Sequence, residues 1–343
     1  MENQIFLRSV AVAACVIAVA FIMVSSVQVA AQVPNGHPLV VRGPALIEGA
    51  NPKQIALLRT YAVREFGANF QVGTAPGGIA FDGENMWIAN YTDGTLSVLN
   101  AATGKVVGTY SVTGNPDGIA YDGEQMWVTD RTGGQVHVVK ATDGTIEDTI
   151  TVGALPVRIA FDGHHMWVSN NGGNSVSFIN TNTHVVDTTI AGLSIPFGAA
   201  FDGTNMWVVN RGRTTASVFR ASDAVLQMTP TVGADGIDIA FDGAKMWITN
   251  LSGDTVTVVR AGDGTHVKTL TVADGVGDKP TSVAFDGVNM WVGNEDEDSV
   301  SVFRASDLSL VKSIGVGDRP LEMAFDGANM WITLNNVGYV AKR

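Results

Sequence analysis

Two sets of residues have the types and spacing to do chemistry. One is acidic: Asp274 and Asp278 bracket a Gly-Val-Gly stretch, and Glu295, Asp296, Glu297 and Asp298 follow in a second short segment. Calcium takes roughly six to eight oxygen ligands, commonly carboxylates and loop carbonyls, so these acids form a candidate calcium site. Calcium is the one cofactor the sequence suggests. The spacing matches no EF-hand loop, and a solvated acidic loop pair is the alternative reading. The other set is mixed: Arg158, Asp238 and Glu322 lie 80 and 84 residues apart. An arginine facing two carboxylates can orient or polarise a small polar ligand, or it can close an internal network of ion pairs and water. Other constellations fall short. His164, His165 and His184 have no carboxylate at a ligand spacing, and there is no Gly-x-Ser-x-Gly elbow, phosphate loop or paired-His metal motif.

The elements that must position these residues come from an internal repeat. Trp87, Trp127, Trp167, Trp207, Trp247, Trp291 and Trp331 are spaced 40, 40, 40, 40, 44 and 40 residues apart. The same phrase surrounds each, as in Ala120-Tyr121-Asp122-Gly123 followed by Met126-Trp127. In the second repeat the pattern predicts strand A over 118–121, strand B over 125–129, strand C over 135–140 and strand D over 146–152. Asp-Gly turns separate A from B and C from D, where glycine accepts positive φ without a side-chain clash. Four short strands in about 40 residues make one propeller blade. The expected fold is therefore all-β, a seven-bladed β-propeller of four-stranded blades. After Trp331 only enough chain remains for strand C, so the segment at Asn69-Phe70-Gln71-Val72 is expected to complete the last blade and close the ring. Pro230 suits an outer edge strand, where a missing N–H is tolerated. The tryptophans and their neighbouring methionines are read as packing between blades.

This topology assigns the candidate sites to one face. In such a meander the B–C and D–A loops share one end, and the A–B and C–D turns share the other. The A–B turns are nearly uniform, whereas the B–C and D–A loops differ from blade to blade, and recognition is encoded where a repeated scaffold varies. The position just before the expected strand A holds Gly78, Gly118, Arg158, Gly198, Asp238, Ser282 and Glu322. Three charges thus face the channel mouth. Both acidic segments belong to the sixth blade. A ring of Asn90, Asp130, Asn170, Asn210, Asn250 and Asn294 ends strand B and is expected to cap the B–C loops; Leu334 interrupts it. Lys140, Arg220, Arg260 and Arg304 close their C strands on the opposite face.

Residues 1–31 read as a secretory signal, with Arg8, an apolar run from Val10 to Val24, and Val29-Ala30-Ala31 before the cleavage point. Export follows, to a periplasmic, cell-surface or secreted location, with no membrane insertion once the signal is cleaved. The competing reading is an uncleaved anchor. Residues 32–50 read as a linker and 51–66 as a short helix capped by Asn51, which leaves 67–343 for the propeller. The single cysteine, Cys15, lies in the signal, so sulfur redox chemistry is excluded from the mature chain. A net charge of −12 argues against a nucleic-acid partner, because phosphate binding rests on lysine and arginine.

The repeated Pro-x-x-Ile/Val-Ala-Phe-Asp-Gly-x-x-Met-Trp-Val/Ile-x-Asn phrase, with its Val-Ser-Val strand, resembles the secreted β-propellers built from YVTN-type repeats. These are related to NHL-repeat and virginiamycin B lyase-like propellers. The resemblance covers residues 69–343 and implies an exported binding module. Such a module is expected to recognise a protein, glycan or small molecule on the B–C/D–A face and to act as a monomer. Propellers of similar size include lactonases and lyases, so a metal-assisted lactone hydrolase or lyase at the channel mouth is the second hypothesis. A structural cell-envelope protein is the third. No position here matches the lyase's catalytic His and Glu.

Overall fold

The Asp-Gly pair that opens each repeat does three things at once. Asp82 Oδ1 accepts the N–H groups of Glu84 and Asn85 at 2.8 and 2.6 Å, Gly83 adopts φ +103°, and Asp82 Oδ2 accepts the Trp87 indole N–H at 2.7 Å. The same Asp–Trp bond recurs in every blade. The aspartate therefore fixes the hairpin and also satisfies the one polar atom of a buried indole.

The computed structural model describes residues 67–271 and 274–343. The expected signal, linker and helix lie outside the described residues. Seven four-stranded antiparallel sheets follow one another in sequence order. In the second blade strand A is Pro116–Tyr121, B is Gln125–Asp130, C is Gln135–Lys140 and D is Ile146–Thr151. Strand A starts earlier than the sequence pattern suggests, because Pro116 pairs with Asp130 across a bulge.

The ring closes as expected. Strand β1 (Ala68–Gln71) pairs antiparallel with β28 (Tyr339–Lys342), with Phe70 opposite Val340. Phe70 stacks on Trp331 at 5.5 Å, as Tyr110 stacks on Trp87 at 5.7 Å in the first blade. In the fourth blade the outer strand is shortened to Leu226–Met228 just before Pro230.

The core lies between blades. Trp127 of the second blade packs with Met166 and Val168 of the third, and Trp207 of the fourth packs with Met246 and Ile248 of the fifth. Each tryptophan buries about 150–250 Å². Strand A of each blade lies beside strand A of the next, so the A strands line the central channel.

Candidate functional site

Every strand A carries a bulge near its third residue, where two residues oppose one on strand B. A bulge re-aims the local side chain and leaves a backbone N–H out of the ladder. In three blades a threonine of strand B takes up that N–H: Thr129 from Gly118 at 2.7 Å, Thr249 from Asp238 at 3.0 Å and Thr333 from Glu322 at 3.0 Å. Glycine at this position allows close approach of neighbouring blades. A Cβ at Gly78 would stand 2.3 Å from the Asp117 carbonyl oxygen.

Arg158, Asp238 and Glu322 come together around one central cavity of about 100 Å³, which Gly78 and Gly118 also line. The sequence reading placed them before strand A; they sit within it, at the bulge. Arg158 contacts Glu322 through Nη2 and Asp117 through Nη1, the latter at 3.0 Å. Asp117 also meets Arg131 at 3.3 Å. Asp238 accepts the Val283 N–H at 2.9 Å, tying the fifth blade to the sixth. Asp117 is the member that sequence reasoning missed. It is the one charged residue among the second positions of strand A, which the expected strand boundary left out.

Burial dominates the electrostatics of this cluster. Loss of water pushes the Glu322 carboxyl up to about 8; the Arg158 charge opposes this, and the neighbouring Asp238 and Asp117 add to it. Asp238 is also raised by burial, against the pull of Arg158 and two backbone N–H groups. Burial works against the Arg158 charge, but Glu322, Asp117 and Asp238 outweigh it and hold the guanidinium pKa above its usual value. One guanidinium thus joins carboxylates from three blades beside it.

The six acids of the sixth blade are not gathered onto one point. Asp274 binds Lys268 at 2.7 Å and the Thr271 N–H at 3.1 Å. Asp296 binds Lys279 and Glu295 binds Arg319, both at 2.7 Å. Asp298 accepts the Arg319 N–H at 2.9 Å, and Glu297 accepts the Ser299 hydroxyl at 3.4 Å. Glu295, Asp296 and Asp298 line an open hollow of about 470 Å³ together with Asp318, and Asp278 does not line it. Among the described residues no group of three or more His, Cys, Asp or Glu side chains is arranged to hold a metal ion.

The histidines go to separate partners. His165 lies between Asp162 and Asp187 at 3.5 and 3.7 Å, and His184 meets Asp148 at 3.1 Å. In the second blade Asp130 caps the B–C loop as expected, accepting the Thr132 and Gly133 N–H groups at 3.2 and 3.0 Å; the asparagines of the ring instead reach back to the D–A loops and strand C. Asn90 accepts the Gly73 N–H at 3.1 Å and donates to Thr95 and Ser97 at 3.0 and 2.9 Å. Asn90 and Asn250 are also the two residues followed by a glycosylation pattern, and both are fully buried, so the folded chain presents neither as an acceptor. In the last blade Leu334 replaces the asparagine, and Ala341 stands where Ser97 stands in the first. Donor and acceptor are lost together, so nothing is left unpaired.

No protein-family model matches the chain, and no curated protein matches it. Solved structures do. Hydrazine synthase of Kuenenia stuttgartiensis aligns at 18% identity and TM-score 0.67, over 78% of this chain and 95% of that one. The Cps50 (Swd1) β-propeller domain of Myceliophteria thermophila aligns at 11% and 0.69, over 81% and 99%. Virginiamycin B lyase of Staphylococcus aureus aligns at 14% and 0.69, over 81% and 98%. At these identities the likeness speaks to fold, and with the sheet order it makes the chain a seven-bladed β-propeller.

Proposed function

We infer that the chain is an exported binding module which recognises its partner on the surface formed by the B–C and D–A loops. The channel volume carries this reading. A cavity of about 100 Å³ has room for a few waters, whereas pockets for small organic ligands span about 300–1,000 Å³. A buried carboxylate with a raised pKa often marks an acid catalyst. Here the cavity is below the size of such ligand pockets, and the Glu322 carboxylate is already engaged by Arg158. The cluster therefore clamps the blades that frame the mouth, and recognition falls to the loops above it. Partner and location follow from the repeat resemblance and the N-terminal segment; the loop variation supports the face.

The test uses the absence of cysteine from residues 67–343. Single cysteines at Thr92, Thr214 or Val337 on the loop face, and at Glu84 or Thr204 on the opposite face, are coupled to a bulky polyethylene glycol maleimide. Binding to cells that produce the protein is then measured. Loss on the loop face alone is the expected outcome. Loss on the opposite face alone would overturn the reading.

A further inference from the structure

In the second, fifth and sixth blades a polar pair joins the D–A loop to the B–C loop, and the equivalent positions of the third and fourth blades depart from it. Thr132 donates to Asn115 at 2.9 Å, Ser252 donates to Asp235 at 2.6 Å, and Lys279 meets Asp296 at 2.7 Å. These polar pairs satisfy one another. In the third and fourth blades the equivalent residues are Leu155 with Gly172 and Ile195 with Gly212. A Cβ on Gly172 would fall 2.9 Å from the Leu155 side chain, and one on Gly212 would fall 3.3 Å from that of Ile195. Both aliphatic chains therefore lie across bare glycine backbone, and both remain 41% exposed.

Both residues are also strained. Leu155 has φ 50° and Ile195 φ 48°, a region that bulky and β-branched residues rarely enter. Such strain costs on the order of 1–3 kcal/mol and persists where the surroundings over-determine it. Here the Asn171 and Arg211 N–H groups hold the Leu155 and Ile195 carbonyls at 2.9 and 3.0 Å. Glycine would adopt this backbone without cost. The exposed aliphatic groups are thus retained at a position where they weaken the fold.

The charge around them is distinctive for a chain of net −12. The four loops at this end of the third and fourth blades contain Arg211 and Arg213 and no acidic residue. Arg211 is engaged by Asp235, whereas Arg213 is exposed and its side chain has no partner among the described residues. The aromatic ring nearby is not a sugar platform: Phe197 is flanked by the guanidinium groups of Arg158 and Arg211 at 4.9 and 5.7 Å. Aliphatic knobs on successive blades, with Ile195 against Gly212 and so next to the free Arg213, fit a polypeptide.

We propose that Leu155, Ile195 and Arg213 form a docking surface for an acidic polypeptide segment bearing large apolar side chains. Its apolar residues bury against Leu155 and Ile195, and its carboxylate pairs with Arg213, as at anchor residues of protein interfaces. This rests on the loop face being the binding surface and specifies which blades are used and what they bind.

The probe is a displayed library of short random peptides, panned against the whole mature chain. Enriched peptides carry aspartate or glutamate together with Leu, Ile, Phe or Trp. A synthetic peptide of that sequence binds the double variant Leu155→Gly/Ile195→Gly at least roughly tenfold more weakly, while that variant melts no lower than the parent. Arg213→Glu weakens the same peptide by a similar factor. Enrichment of basic peptides, or of none, overturns the proposal. Binding kept by the double glycine variant but lost on glycol coupling at Thr214 also overturns it and leaves the loop-face reading standing. Binding that survives coupling at Thr92, Thr214 and Val337 overturns both.

Discussion

Glu322 shows how position in the ring changes the chemistry of one side chain. It occupies the place that glycine fills in three other blades, and burial there pushes its carboxyl up to about 8. A folded-state pKa above the unfolded value means that the native chain holds a proton the unfolded chain gives up. The stabilisation is full below the unfolded value of 4.5, falls across the interval, and is lost once pH passes about 8. Stability is therefore expected to decline between these limits with a slope approaching ~1.4 kcal/mol per pH unit from this group. Urea unfolding across that range measures it, and Glu322→Gln should make the slope shallower, leaving the part that Asp238 contributes. The charge at this position was readable in the sequence because the repeats could be compared with each other. Its partner Asp117 was not, since one bulge moved the strand boundary.

Among the elements, the outer strand of the last blade matters most. Strand β1 supplies it from the other end of the described chain, pairing four residues with β28 and stacking Phe70 on Trp331. Removing it leaves β28 as a bare edge and strips one face of a buried indole. A chain that begins at Thr74 should melt at least ~5 °C lower and aggregate faster than one that begins at Gly67. Thermal unfolding of the two chains checks this. The closure could be foreseen by counting strands after Trp331. The bulges could not, because the extra residue has no type of its own; glycine, arginine, aspartate, serine and glutamate all occupy it. The asparagine ring shows a second limit. Its residues were visible, as was the local cap at Asp130, but the D–A loops that Asn90, Asn210 and Asn294 hold depend on a crossing between strands that no local pattern encodes.

For the molecule as a whole, the repeat makes the two ends of the propeller unequal. One end is built from near-identical Asp-Gly turns, each anchored by a tryptophan. The other carries loops that differ in charge, with free and paired arginines on the fourth blade and paired acids on the sixth. Between them the central cavity of about 100 Å³ is lined by Arg158, Asp238 and Glu322. The proposed binding module would meet its partner on the loop face and not in the central cavity. Affinity for producing cells, measured for the five chains glycol-coupled at Thr92, Thr214, Val337, Glu84 and Thr204, tests this most directly. Coupling at one or more of the three loop-face positions should weaken binding at least roughly tenfold while Glu84 and Thr204 leave it unchanged; equal binding by all five, or loss confined to Glu84 and Thr204, would contradict it.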